Sequence, residues 1–142
     1  RPMYAAAVGD VTGDGLPDVV SSENWVTAPV GLWTNTTTLG TITLDNWSYI
    51  QADSTRDHSS IGYQMGDFGL GFGDLNSDSF KDVASGHYLY RNPGGTMSTA
   101  PWPRVTLPVD PATGRLVDAS LLTDIDGDGL ANDIIAEDLP NA

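Results

Sequence analysis

The chain has 142 residues, 39% of them hydrophobic and 18% charged, with 16 Gly, 9 Pro and no Cys. This strand-and-turn composition excludes disulfide stapling, thiolate metal sites and a cysteine nucleophile. A formal net charge of −13, from 19 acidic and 6 basic residues, leaves no basic stripe for phosphates and argues against nucleic acid as a partner.

In chain order, Met3 to Val8 reads as a strand that runs into an acidic turn, Asp10-Val11-Thr12-Gly13-Asp14-Gly15-Leu16-Pro17-Asp18. Asp18 to Ser22 leaves that turn as a second strand. Val30 to Thr34 is a third, with Trp33 as its packing residue. Thr41 to Leu44 alternates threonine with apolar residues and favours extended structure. Asn35-Thr36-Thr37 and Asn46-Trp47-Ser48 match the N-glycosylation acceptor pattern.

The run Gln51 to Ser60 is polar and without period, and reads as an added loop at one face of a repeat architecture. Between Gly62 and Asp74, glycines alternate with Phe68, Leu70 and Phe72. Such a pattern suits extended backbone lying close to another element. A second acidic turn follows, Asp74-Leu75-Asn76-Ser77-Asp78-Ser79-Phe80-Lys81-Asp82. Val83 to Asn92 is a half-buried strand or strand pair, with Tyr88 and Tyr90 on one face. Asn92-Pro93-Gly94-Gly95 turns the chain, and Trp102 to Leu107 is a further strand. Leu116 to Thr123 leads into the third acidic turn, Asp124-Ile125-Asp126-Gly127-Asp128-Gly129-Leu130-Ala131-Asn132-Asp133, and Ile134 to Glu137 leaves it.

These three turns organise the chain. Oxygen side chains fall at positions one, three and five, and another arrives at nine: Asp18, Asp82, and Asn132 with Asp133 beside it. Left alone, such carboxylates repel one another. A hard cation removes that cost, and calcium accepts about six to eight oxygens in a flexible geometry. A helix–loop–helix hand would close on a glutamate at position twelve, where Ser21, Ser85 and Ile135 stand instead. The β-branched residues just after each loop make these turns strand connections. More than half of the 19 acids lie in the loops, so the chain's acidity is mostly ligand charge.

The phrases VGDVTGDGLPDVV, FGDLNSDSFKDVA and LTDIDGDGLANDII resemble the FG-GAP/VCBS-type calcium-binding repeats of integrin-like β-propellers. YLYRNPGG and PWPRVTLP are similar to a variant found in secreted propellers of sugar-processing proteins. The resemblance implies an all-β fold. It makes the chain part of a β-propeller, with about two complete blades and a partial third over units 3–60, 61–110 and 111–142. Further blades, or another polypeptide chain, would complete it. It also implies up to three Ca2+ ions and a secreted or extracellular setting.

Carried onto this chain, the ligand roles fall on Asp10, Thr12, Asp14 and Asp18; on Asp74, Asn76, Asp78 and Asp82; and on Asp124, Asp126, Asp128 and either Asn132 or Asp133. Leu16, Phe80 and Leu130 would supply carbonyl oxygens. Thr12 is a neutral ligand, and Ser77 and Ser79 replace both glycines of the second loop. Three roles stay open under the resemblance: a carbohydrate-binding or scaffolding segment, part of the body of a polysaccharide lyase, or a protein-adhesion module. Arg56, His58, His87 and Tyr88 are the candidates for catalysis. Trp25, Trp47 and Trp102, beside turns, are candidates for sugar stacking.

Overall fold

In a computed structural model, residues 3–23, 30–37, 47–55, 69–94, 97, 101–114 and 119–137 are described. They form an all-β fold of ten strands with no helix among them. Correspondingly, no helix is long and apolar enough to cross a membrane.

The strands are β1 (Met3–Gly9), β2 (Asp18–Glu23), β3 (Val30–Asn35), β4 (Trp47–Asp53), β5 (Leu70–Gly73), β6 (Asp82–Ser85), β7 (Tyr88–Tyr90), β8 (Arg104–Thr106), β9 (Ala119–Thr123) and β10 (Asp133–Glu137). They build three antiparallel sheets: β1-β2-β3-β4, β5-β6-β7-β8, and the two-stranded β9-β10. Each acidic turn joins the first and second strand of its sheet. The strands form where Val, Ile and aromatic residues alternate with small or polar ones, as a half-buried pleated surface requires.

One strand departs from the sequence reading. Gln51, Ala52 and Asp53 belong to β4 and not to a polar insertion. Ile50 and Ala52 pack on or within the core, and Asp53 is held by an ion pair described below. Tertiary partners decided this segment, where local pattern did not. The rest of the polar run, and Thr41 to Leu44, lie outside the described residues.

The strand register fixes which residues share a face. Val8, Val19, Trp33 and Tyr49 form one cross-strand row of the first sheet. Phe72, Val83, Tyr90 and Arg104 form the matching row of the second, and Leu122 with Ile134 that of the third. We term this the trailing face of each sheet. The leading face carries Val20, Leu32 and Ile50 in the first sheet, and Ala84, Leu89 and Val105 in the second. In the third sheet it carries Leu121 and Ile135.

The main core lies where the leading face of the first sheet meets the trailing face of the second. Val20, Val30, Leu32 and Ala52 pack there with Val83, Tyr88, Tyr90 and Trp102, and Val11 joins them from the first loop. A fully buried aliphatic or aromatic side chain contributes about 1.5–3 kcal/mol, so this interface is the principal apolar contribution to stability. The leading face of the second sheet meets the trailing face of the third in the same sense. A Cβ on Gly71 would stand 2.9 Å from the Leu122 nitrogen, and one on Gly73 would collide with the Ala131 carbonyl oxygen. Glycine is required at both positions by backbone approach, as the glycine-dense stretch suggested.

Candidate metal centres

The three loops share one backbone form. Gly13 and Gly15 have φ of 77° and 86°, and Gly127 and Gly129 have 80° and 88°. At the same two places Ser77 and Ser79 are held at 59° and 72°. A side chain in the left-handed region costs about 1–2 kcal/mol, partly offset because serine loses less backbone freedom on folding than glycine. Ser77→Gly and Ser79→Gly should therefore each stabilise the fold by about 0.5–1 kcal/mol, read as a higher urea midpoint.

What holds the loops in this form is the first acid of each. Asp10 accepts hydrogen bonds from the N–H groups of Gly13 (2.7 Å), Asp14 (3.1 Å) and Gly15 (2.9 Å). Asp74 accepts from Asp78 and Ser79 at 3.0 and 2.8 Å, and Asp124 from Gly127 and Gly129 at 2.7 and 2.9 Å. The acid at position five in turn accepts the N–H at position seven. These bonds are Leu16 to Asp14 (2.8 Å), Phe80 to Asp78 (2.9 Å) and Leu130 to Asp128 (2.8 Å).

The acid at position nine has a different task. Asp18 is fully buried. Its Oδ2 accepts from the N–H groups of Val11 and Thr12, both at 2.9 Å, and its Oδ1 accepts from Asn35 N–H at 2.9 Å. Asp82 repeats this with Leu75 N–H at 3.1 Å and Asn92 N–H at 2.9 Å. Each therefore ties its loop to the end of the third strand of its sheet. In the third loop the acid in this place is Asp133, which accepts from Ile125 (2.7 Å) and Asp126 (3.1 Å). Its register settles the equivalence: Asp133 pairs with Thr123 as Asp18 does with Gly9 and Asp82 with Gly73.

Asn35 and Asn92, which the sequence reading did not place in this framework, complete it. Both are buried, and both close an Asx turn. Asn35 Oδ1 accepts from Thr37 N–H (3.0 Å) and hydroxyl (2.6 Å), and Asn92 Oδ1 from Gly94 N–H (3.0 Å). The side chain of Asn35 is thus committed inside the protein, not presented as a glycan acceptor. An aromatic residue two positions earlier, Trp33 or Tyr90, is the sequence signal they share.

The oxygens at positions one, three and five remain for a cation. In the third loop Asp124, Asp126 and Asp128 each offer a carboxylate oxygen, all within 4.8 Å of one another and solvent-facing. The first loop has two carboxylates, Asp10 and Asp14, and between them Thr12, whose Oγ1 is buried without a hydrogen-bond partner. An orphaned hydroxyl beside two carboxylates fits a hard cation that would accept its lone pair. In the second loop Asn76 Nδ2 donates to Asp78 Oδ2 at 2.9 Å, and the Arg91 guanidinium stands 3.7 Å from the same oxygen. The Phe80 N–H bond, with Asn76 and Arg91 adding to it, holds the Asp78 carboxyl below its usual range against an opposing desolvation. Burial raises Asp82, and the Asp78 and Asp74 charges add to that rise, while the Asn92 and Leu75 N–H groups oppose it. A cation held by Asp74 and Asp78 would cancel the repulsive part.

The catalytic candidates are placed differently. Arg56 and His58 lie outside the described residues. His87 is buried in the turn between β6 and β7, its ring centroid 4.0 Å from that of Tyr88. Tyr88 is itself buried, with the Arg104 guanidinium 4.5 Å above its ring. Arg104 is ion-paired to the buried Asp53, which also accepts from Thr55 N–H (2.6 Å), Thr55 hydroxyl (2.9 Å) and Tyr90 hydroxyl (3.0 Å). The group bridges the first and second sheets.

Burial alone would push the Asp53 carboxyl up, but the bonds from Thr55, Tyr90 and Arg104 outweigh it and leave it lowered. A lowered carboxyl stabilises the fold above its unfolded range and loses that contribution as the pH falls through the folded value. Asp53→Asn should therefore cost about 2 kcal/mol at neutral pH, and its deficit should shrink on acidification. Urea unfolding of both proteins across acidic pH checks this.

Two tryptophans depart from expectation. Trp102 is buried in the core, while Trp33 is partly exposed and pairs with Tyr49, ring centroids 4.8 Å apart. Trp47 is half-buried, and Trp25 lies outside the described residues. Comparison with protein families, curated proteins and solved structures yields no match to this chain.

Proposed function

We propose that this chain is a calcium-stabilised segment of an extracellular β-propeller, acting as a scaffold. The observation that carries the reading is the recurrence of one loop geometry three times. Each copy joins the first two strands of a sheet, and successive sheets stack leading face to trailing face. Calcium sits on the oxygens of Asp10, Thr12 and Asp14, of Asp74, Asn76 and Asp78, and of Asp124, Asp126 and Asp128, with the carbonyls of Leu16, Phe80 and Leu130. Bound there, the ion neutralises carboxylates that otherwise repel and fixes the angle between two strands. Asp18, Asp82 and Asp133 act mainly by clasping loop backbone, and Asn132 lies beside the third clasp. An extracellular setting supplies calcium at the concentrations such modules use.

Scaffolding is preferred to catalysis because Tyr88 packs in the core between the first two sheets and the buried His87 ring lies against it. Thermal unfolding in chelator, then with calcium or magnesium restored, tests the reading. Calcium should raise the midpoint and magnesium at equal concentration should do so far less.

A further inference from the structure

Asn92 does more than close the turn after β7. Its Oδ1 takes the Gly94 N–H, so its amide nitrogen is turned to two carbonyl oxygens, which accept and cannot donate. Nδ2 donates to the Lys81 carbonyl at 3.0 Å and to the Val11 carbonyl at 3.5 Å. Lys81 stands between Phe80 and Asp82 in the second loop, and Val11 between Asp10 and Thr12 in the first. The Asn92 backbone N–H is held by Asp82, and the Val11 N–H by Asp18. One buried side chain thus joins the clasp of the second loop to that of the first, across 81 residues of sequence.

Neither end of this relay has room to give. Asn92 and Val11 are each 1% exposed, and the Val11 side chain packs with Tyr90 and Trp102 in the core that the first two sheets share. In an interior of that density a displaced peptide moves its neighbours, and the displacement is passed on.

We propose that Asn92 couples the first two loops, so that calcium in either one favours calcium in the other. The proposal rests on the reading of the loops as calcium sites. With the second loop filled, the Phe80 carbonyl is held, and with it Lys81 and the Asn92 amide. Val11 is then fixed in advance, and Asp10 and Thr12 on either side of it lose less freedom when the first loop fills. The 3.5 Å bond is the weakest link, which places the effect at the lower end of ordinary site-to-site coupling. Charge alone would act the other way, because cations in two neighbouring loops repel. The sign of the coupling therefore separates the relay from simple electrostatics.

The test is calorimetric calcium titration in about 0.15 M salt, where charges act over only about 8 Å. Every chain carries Asp128→Ala, which empties the third loop. Adding Asp78→Ala gives the constant of the first loop alone, and adding Asp14→Ala that of the second. With both loops intact, the two-ion constant should exceed the product of the single-loop constants about fivefold. In Asn92→Ser that ratio should fall to about one in the same cycle. Serine keeps an oxygen for the Gly94 N–H and a backbone N–H for Asp82, but it is too short to reach Val11. A loss of stability alone would lower melting without changing the ratio. A ratio of one or below with Asn92 present, while both loops still bind, overturns the proposal and leaves the scaffold reading standing. An undiminished ratio in Asn92→Ser also overturns it, since the coupling then runs through other contacts. If that variant does not melt cooperatively in calcium, the ratio with Asn92 present decides alone. Absence of calcium uptake by both loops would strike the underlying reading and the proposal with it.

Discussion

Replacing Asp18 or Asp82 with alanine is expected to be the most damaging single change to the fold. Asp18→Ala orphans three backbone N–H groups at once, those of Val11, Thr12 and Asn35. An unsatisfied buried donor costs about 1–3 kcal/mol, so the loss should be on the order of 3–5 kcal/mol, a large share of a domain's stability. Asp82→Ala strands Leu75 and Asn92 and should cost slightly less. Asn35 and Asn92 lie at the ends of β3 and the β7 connection, so the damage spreads from the loop into the sheet. The discriminating comparison is urea unfolding with calcium and with chelator. If these carboxylates act by clasping backbone, the penalty persists in chelator. A penalty present only with calcium would assign them to the ion instead. Asp18→Asn, which keeps one acceptor oxygen, should fall between wild type and Asp18→Ala.

The second large effect concerns the order of the loops. Asp128→Ala should remove the tightest calcium site, because the third loop alone among the described residues brings three carboxylates together. Asp78→Ala should remove a weaker one, since Asp78 already shares its charge with Arg91 and its neighbour at position three is the neutral Asn76. At calcium about tenfold above the dissociation constant, one site stabilises by about 1.4 kcal/mol. Loss of the third site should therefore lower the melting midpoint by about 4 °C or more in calcium and by little in chelator. Arg91→Ala should tighten the second site by withdrawing its competing cation. Calcium titrations monitored by melting would rank the three variants.

The acidic loops and the strands beside them were legible in the sequence because their determinants are local. Oxygen spacing, turn residues and β-branched flanks all lie within about a dozen residues. Strand β4 was not legible. Asp53 looks like part of a polar run, and only its bonds to Tyr90 and Arg104, distant in sequence, explain its burial. The clasp role of Asp18 and Asp82 was hidden for a related reason. A sequence gives residue types at a spacing but not which lone pairs are taken, and Asn35 and Asn92 approach only once the third strand has paired. Trp33 and Trp102 show the limit of judging exposure from neighbouring turns. Trp102 sits beside prolines yet fills the core, and its backbone N–H donates to the Ala52 carbonyl at 2.8 Å. Trp33 sits within a strand, but on the face that no described sheet covers.

The central claim is that these loops bind calcium, and direct counting of the ion tests it most simply. Protein stripped by chelator is dialysed against graded calcium and against magnesium, and bound metal is measured in the recovered chain. The account predicts saturable calcium uptake approaching three ions per chain, reduced by one in Asp128→Ala, with little magnesium bound at equal concentration. Calcium uptake that fails to saturate, or that is unaffected by Asp128→Ala, would contradict it.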